Sequence, residues 1–152
     1  MTYSDELLTP FAHAAQNRCF GCGQTNPVGL HLEFLIAPDG SVVGRPIIAD
    51  TFEGHPGYLH GGIIATLLDE AMSKALRATG RTAMTRHMEV DYLRPVPSGA
   101  QLRIEGRVVR SDHRKHWAEA AILNGEGSVL AQGSGLFIEL RPKHLEQESE
   151  KT

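Results

Sequence analysis

Residues 57 to 72 read GYLHGGIIATLLDEAM, and this stretch carries both the clearest helix and the clearest candidate site of the chain. Two glycines, which are poor helix formers, stand directly before a run that is typical of an amphipathic helix. His60 precedes the glycines, and two adjacent carboxylates, Asp69 and Glu70, follow within three turns. The stretch raises the question of why glycines stand where a helix begins.

The apolar face of this helix is unusually wide. At about 100° per residue its apolar positions cover an arc of about 220°, against roughly 100° for an ordinary surface helix. These positions are Ile63, Ile64, Leu67, Leu68, Ala71, Met72, Ala75 and Leu76. Lys74 and Arg77 complement the helix dipole near its C-terminal end, and Gly80 suits the position after the C-cap. The pattern predicts one long helix buried among strands.

Six apolar runs are typical of β-strands. Two lie within residues 30 to 48 and are joined at Pro38-Asp39-Gly40, a hairpin turn signal. Four follow the helix, at roughly 82–93, 101–110, 116–124 and 128–140. In the first of these four, alternation places Met84, Arg86 and Met88 on one face and Thr85 on the other. Residues 5 to 16 are expected to form a short helix. The order of elements predicts the α+β class, with a sheet wrapped around the helix.

Length and composition fit one ordinary globular domain. The chain has 152 residues, of which 41% are hydrophobic and 22% charged, and a formal charge of −3. We expect an N-terminal extension at 1–18, the domain at 19–141 and a polar tail at 142–152. The charge gives no general attraction to nucleic acid or to an anionic membrane, so neither is an expected partner. The first residues lack the pattern of a signal peptide, and a cytoplasmic location is therefore expected.

The N-terminus of the helix can bind a negatively charged or polarised oxygen atom. The first turn leaves backbone N–H groups unpaired and carries a partial positive charge. Glycine lets a ligand approach these groups, which then bind a phosphate or form an oxyanion hole for a carbonyl. Gly61 and Gly62 would equally serve a tight turn, and the residues alone leave both interpretations open.

The adjacent carboxylates are candidate catalytic groups. Asp69 lies at about 240° and Glu70 at about 340° around the helix, each at one edge of the apolar stripe. A half-buried carboxylate can act as a base or a nucleophile, whereas a solvated one is an ordinary surface acid. The angles do not choose between the two residues.

Taken together, three segments resemble the hotdog-fold acyl-CoA thioesterases, in particular the phenylacetate-degradation type. The segments are HPGYLHGGIIATLLDEAM, RTAMTRHMEVDYLRPVPSGAQLRIEGRVV and GSVLAQGSGLFIEL, and the likeness runs from about Cys19 to Leu140. It implies a long helix wrapped by an antiparallel sheet of five to six strands, assembled as homodimers or homotetramers. The implied reaction is hydrolysis of an acyl-CoA or related acyl thioester, with coenzyme A as part of the substrate and no separate cofactor.

The resemblance also implies roles for individual residues. The Gly61 amide polarises the thioester carbonyl, and Asp69, rather than Glu70, acts as general base or nucleophile. Thr85 on the next strand orients the water, and His60 orients the turn. In such dimers the glycine turn comes from one subunit and the acid with its hydroxyl from the other.

One position departs from the family pattern. Several relatives carry an asparagine six residues before the histidine, where this chain has Gly54, so this contact is either absent or replaced by His55. Gly62, His55 and Arg86 are further substrate-binding candidates.

Two other features have a simple and a functional interpretation. Cys19 and Cys22 form a CxxC, but no second pair completes a zinc site, so we expect a structural turn and no metal. The basic residues Arg107, Arg110, Arg114 and Lys115 are most simply a solvated surface. The alternative makes Arg110 and Arg114 a clamp for the phosphates of coenzyme A.

Two rival functions share the fold implied by the resemblance. A hotdog dehydratase would need its histidine and acid arranged for proton transfer at carbon. A non-catalytic acyl-CoA-binding protein would keep the fold without the chemistry. The joint presence of His60, Gly61, Asp69 and Thr85 favours the thioesterase.

Overall fold

The computed structural model describes residues 5–11 and 16–141 as one long helix on one antiparallel sheet. The helix, α1, spans Gly61–Arg77. The strands are β1 (Thr9–Pro10), β2 (Phe34–Ile36), β3 (Val42–Gly44), β4 (Ala83–Tyr92), β5 (Arg103–Asp112), β6 (Lys115–Leu123) and β7 (Val129–Glu139). Short 3-10 turns occupy Asp5–Leu7 and Asp50–Phe52.

The strand order is β1-β2-β3-β5-β6-β7-β4, and every neighbouring pair is antiparallel. The α+β class and the sheet around a central helix are confirmed. The sheet has seven strands instead of five to six because Thr9–Pro10 pairs with Leu35 and Ile36. The helix expected at 5–16 is wrong for residues 8–11, since proline disfavours helical geometry in the residue before it. Residues 12–15 and the predicted tail at 142–152 lie outside the described residues.

The helix lies in a groove of small residues. Gly106, Ala120 and Gly133 stand opposite one another across β5, β6 and β7. A Cβ atom on Gly106 would lie 2.4 Å from the carbonyl oxygen of Ala71. The helix backbone therefore touches the sheet directly. This contact buries the wide apolar stripe, and Leu67, Leu68, Ala71, Met72 and Ala75 are all 0% exposed.

Both ends of α1 are marked by the residues that flank it. His60 is the N-cap, with extended backbone angles (φ −62°, ψ 141°). At the other end Ala78 is the C-cap, so Gly80 lies one residue beyond the position expected for it. Its φ of 83° is left-handed and favours glycine, and its N–H donates to the carbonyl oxygen of Arg77.

The first half of β4 departs from the expected alternation. The pairing with β7 shifts between Thr85 and His87, which makes Arg86 a β-bulge. The extra residue changes the phase, so that Thr85 lies on the same face as Met88, towards α1. Met84 is 60% exposed instead of sharing that inner face. The predicted grouping of Met84 with Met88, opposite Thr85, is therefore wrong.

Candidate active site

A cleft of about 730 Å³ opens at the start of α1. Its walls come from the loop before the helix, the first helical residues and the segment that follows β4. They include Gly54, His55, Tyr58, His60, Gly61, Ile64, Tyr92, Leu93 and Arg94. Most of the lining is apolar or aromatic, with few polar groups, which is the usual character of a small-molecule site.

The His60 side chain caps the helix. Its Nδ1 accepts a hydrogen bond of 2.9 Å from the Gly62 N–H. The neutral ring therefore carries its proton on Nε2 and acts there as a donor. The predicted orienting role of His60 has a direct structural basis in this contact, and the Gly62 amide is occupied.

The Gly61 amide is open. Its N–H has no acceptor within residues 5–11 and 16–141, while its carbonyl oxygen accepts a hydrogen bond of 3.0 Å from the Tyr92 hydroxyl. A Cβ on Gly61 would lie 3.7 Å from that ring, an ordinary contact distance. The first turn thus offers one unpaired N–H, carrying the positive end of the helix dipole, to the cleft.

Asp69 and Thr85 form a close pair two turns further along the helix. The Thr85 hydroxyl donates to Asp69 Oδ1 over 2.6 Å. A bond of this length between a hydroxyl and a carboxylate is charge-assisted and fixes the carboxylate plane. Among the described residues, no hydrogen bond occupies the second carboxylate oxygen. The two residues that the resemblance groups together are in contact.

Glu70 faces a different part of the molecule. Its Oε1 accepts a hydrogen bond of 3.2 Å from the Cys19 thiol. Burial raises the pKa of Cys19 to about 11, and the nearby Glu70 carboxylate adds to this effect, while backbone N–H groups of Cys22 and Gly21 oppose it. The two adjacent acids therefore have separate surroundings, which the helical angles alone did not reveal.

The two parts of the predicted site are not brought together within one chain. Gly61 and Asp69 are eight residues apart on α1, a separation of about 12 Å at ~1.5 Å per residue. A thioester carbonyl oxygen held by the Gly61 amide places its carbon within roughly 4 Å of that amide. The Asp69 of the same chain is therefore out of reach of the same carbonyl group.

The remaining predicted residues lie in three places. Gly54 and His55 line the cleft, and a Cβ on Gly54 would lie only 3.2 Å from the Cα of His60. Arg86 is the bulge residue of β4 and is exposed. Arg110 stacks on Trp117, with its guanidinium carbon 3.7 Å from the ring centroid, and Arg114 donates to the carbonyl oxygen of Glu139. Both arginines belong to the β5–β6 hairpin, away from the cleft.

Two features were missed in the sequence. The position of Tyr92 in the wall of the cleft had only a weak signal in the sequence, which is its place on the inner face of β4. The contact of Glu70 with the CxxC turn had none, because 51 residues separate Cys19 from Glu70.

A second concavity, of about 620 Å³, lies on the outer face of the sheet. Its lining includes one cation, Arg107, and five carboxylates, from Asp39, Glu89, Asp91, Glu105 and Glu119. Negative charge of this density disfavours an anionic ligand. The cleft at the helix start is therefore the better candidate for a phosphate-bearing substrate. No helix of the described residues combines the length and apolar character needed to cross a bilayer.

Comparison with known proteins gives a consistent result. The model of the thioesterase superfamily matches residues 56–131. Acyl-coenzyme A thioesterase THEM4 of Xenopus laevis is 34% identical over 91 residues, which cover 59% of this chain and 41% of that protein. The chain thus spans about two fifths of the length of the curated THEM4 relatives that it matches.

Solved structures share the fold. A thioesterase superfamily protein of 30% identity superposes with a TM-score of 0.76, covering 80% of this chain and 60% of its own. The PaaI protein of the E. coli phenylacetic acid degradation operon reaches 0.68 at 20% identity, over 74% of this chain and 81% of its own. The expected hotdog fold is confirmed. Because the thioesterase superfamily model matches half of the residues of the chain, the chain belongs to the thioesterase superfamily.

Proposed function

We propose that this protein is an acyl-CoA thioesterase whose active site is formed by two copies of the chain. The observation that carries the proposal is the pairing of Thr85 with Asp69 at one end of β4, with the open Gly61 amide at the other end. An activated carboxylate and an oxyanion donor are the two elements that thioester hydrolysis needs.

The assembly argument rests on β4. This strand is ten residues long, and its only partner among the described strands is β7, so one edge has unpaired backbone groups. Natural sheets rarely leave an edge of this length uncovered. A second copy that pairs antiparallel along β4 about a two-fold axis would cover it and keep the interface self-complementary.

The same pairing would complete the site. Thr85 and Tyr92 lie seven residues apart on β4, or roughly 23 Å at ~3.3 Å per residue. If Ala83–Tyr92 pairs with itself about its centre, Thr85 stands opposite residue 90 of the second copy, two residues from that copy's Tyr92. The Asp69–Thr85 pair of one chain would then face the Gly61 amide of the other.

In this site the work is divided between the chains. One chain's Gly61 N–H donates to the thioester oxygen and stabilises the negative charge that develops there, aided by the helix dipole. The other chain's Asp69 accepts a proton from water or attacks the carbonyl carbon itself, and both routes use the oxygen that Thr85 leaves free. Collapse of the tetrahedral intermediate expels the thiolate of coenzyme A. The base route gives the free acid directly, and on the nucleophilic route water then hydrolyses the anhydride formed with Asp69.

Coenzyme A is the proposed thiol because the most similar curated relatives are named acyl-coenzyme A thioesterases. Arg110 and Arg114 lie in the β5–β6 hairpin, at the end of the sheet that also holds Thr85. At this end Phe137 on β7 pairs with His116 on β6 on one side and with Thr85 on β4 on the other. Strands spaced ~4.8 Å apart put the backbones of Thr85 and His116 about 10 Å from each other. A phosphate contact by these arginines is compatible with this distance.

The state of His60 disfavours the dehydratase alternative. Abstraction of a proton from carbon needs a basic nitrogen aimed at the substrate. The acceptor nitrogen of His60 is used by the Gly62 N–H within the cap. The Nε2–H that remains can donate a hydrogen bond to a bound carbonyl, as thioester hydrolysis requires.

Replacement of Asp69 tests the proposal. Asp69→Asn keeps the size of the side chain and its contact with Thr85 but removes charge and basicity, so turnover of acyl-CoA should fall at least ~100-fold. Steady-state release of thiol measures the loss, and binding of the substrate should change little. Glu70→Gln is the comparison on the neighbouring residue and should retain most of the turnover. Loss of turnover in Glu70→Gln with a fully active Asp69→Asn would refute the assignment.

A further inference from the structure

Three potential metal ligands meet beside α1, outside the cleft. Cys19, Cys22 and Glu70 each offer one ligand atom, and these atoms lie within 4.8 Å of one another. The Cys19 sulfur is 3.2 Å from the Glu70 oxygen. Thiolates bound to zinc at ~2.3 Å in tetrahedral geometry lie ~3.8 Å apart, and a carboxylate oxygen lies slightly closer. The cluster has the dimensions of a tetrahedral metal site.

The backbone around the two cysteines forms a tight turn. Gly21 and Cys22 direct their N–H groups at the Cys19 sulfur, and the Gly23 N–H closes the turn on the Cys19 carbonyl oxygen at 2.8 Å. A Cβ on Gly23 would lie 2.5 Å from the Cys19 nitrogen, so this tight turn requires glycine. The turn therefore fixes Cys19 close to Cys22.

The third ligand is also fixed in place. The loop contacts the helix so closely that a Cβ on Gly21 would lie 2.3 Å from Glu70 Cγ. Cys22 is buried, at 3% exposure, while Cys19 and Glu70 are half-buried, so one side of the cluster is open to solvent. Three ligands with one solvent-facing position leave room for a water molecule as the fourth ligand.

We propose that Cys19, Cys22 and Glu70 bind a zinc ion that fastens the loop of residues 17–30 to α1. Two thiolates select a soft divalent ion such as zinc over magnesium or calcium. Binding of the ion releases the two thiol protons, and its charge then holds the two thiolates beside the Glu70 carboxylate. Because Glu70 is adjacent to Asp69, the ion also anchors the part of α1 that carries the acid. Sequence spacing had indicated a plain turn, since the third ligand is remote in the sequence.

Cobalt substitution of the whole chain tests the site directly. The reduced protein, stripped with a chelator, is titrated with Co²⁺ in the absence of oxygen. We expect one ion per chain, with thiolate-to-cobalt charge-transfer absorption and the strong visible bands of tetrahedral cobalt, both removed by added Zn²⁺. Zinc should also raise the melting temperature of the stripped protein. The proposed hydrolysis does not depend on this ion, so the two proposals can fail separately.

Variants assign the ligands. Cys22→Ser and Glu70→Gln should weaken cobalt binding at least ~10-fold. Asp69→Asn removes the neighbouring carboxylate and should bind cobalt as the wild type does. If a ligand variant fails to fold, the cobalt titration of the wild-type chain still shows whether the site binds a metal ion.

Two results would overturn the site. One is the absence of thiolate-to-cobalt absorption in the fully reduced wild-type protein. The other is cobalt binding by Glu70→Gln with wild-type affinity.

Discussion

At the scale of single residues, Asp69 and Glu70 differ in their partners more than in their position. Both are half-buried carboxylates on α1, one residue apart. Asp69 accepts a hydrogen bond from a hydroxyl on β4, and Glu70 accepts one from a thiol in the loop before β2. A hydroxyl donor orients a carboxylate, whereas a carboxylate beside two thiols suits a cation. The surroundings of each acid set its chemistry.

The Thr85 hydroxyl should matter through its bond to Asp69. Thr85→Val keeps the branched shape and removes the donor. A hydrogen bond to a charged group is worth ~1.5–3 kcal/mol, so the turnover number should fall roughly 10- to 100-fold. Thr85→Ser retains the hydroxyl and should stay within about threefold of the wild type by the same measure. The turnover number from steady-state kinetics provides the test, and a fully active Thr85→Val would show that this contact does not assist the reaction.

The sequence predicted the members of this pair but could not separate the two acids by geometry. A helical angle gives the direction of a side chain, and it does not identify the element that lies in that direction. The loop with Cys19 and the strand with Thr85 arrive from distant parts of the chain. Only the resemblance to a family selected Asp69, and the structure supplies the contact with Thr85.

At the scale of elements, the contribution of the His60 N-cap to the stability of α1 can be measured separately from any role of His60 in catalysis. His60→Ala removes the acceptor for the Gly62 N–H and should lower the free energy of unfolding by ~1 kcal/mol. His60→Asn supplies another good N-cap and should recover most of that loss. Urea denaturation measures both. Equal destabilisation by alanine and asparagine would mean that the ring stabilises the protein by something other than capping.

The strands show how far periodicity can be trusted. The hairpin turn at Pro38-Asp39-Gly40 was predicted from its residues, and Gly40 has the left-handed φ of 85° that such a turn needs. The bulge at Arg86 had no comparable signal. One extra residue reverses the alternation of everything before it, and the sequence does not mark where the extra residue stands. The predicted faces of β4 were therefore correct after the bulge and wrong before it.

At the scale of the whole molecule, the separation of Gly61 from Asp69 is the central fact. Both residues belong to α1, so no movement of the helix relative to the sheet can shorten the ~12 Å between them. A second chain is the simplest way to bring a distant glycine turn to the acid.

Mixing two inactive variants tests this arrangement. Gly61→Pro removes the open N–H, and the extended backbone of His60 accepts a proline after it. Combined with an equal amount of Asp69→Asn, and after complete subunit exchange, it should give about a quarter of the wild-type activity. This follows because half of the dimers are mixed and each mixed dimer has one complete site. Gly61→Ala keeps the N–H and is the matched control, expected to be active alone. An inactive mixture with exchange demonstrated would place the whole site within one chain.

The uncovered edge of β4 also affects the fate of newly made protein. A folded single chain presents the unpaired edge of a ten-residue strand, with the exposed side chains of Met84 within the strand and Leu93 just beyond it. Any extended segment of another unfolded chain can add to such an edge, and that addition does not end in a closed assembly. The proposed dimerisation and aggregation would thus compete for one surface. The yield of active protein in a cell should depend on how quickly two folded copies of this chain meet. Slow synthesis at low concentration, in the presence of other unfolded chains, is the condition that favours aggregation.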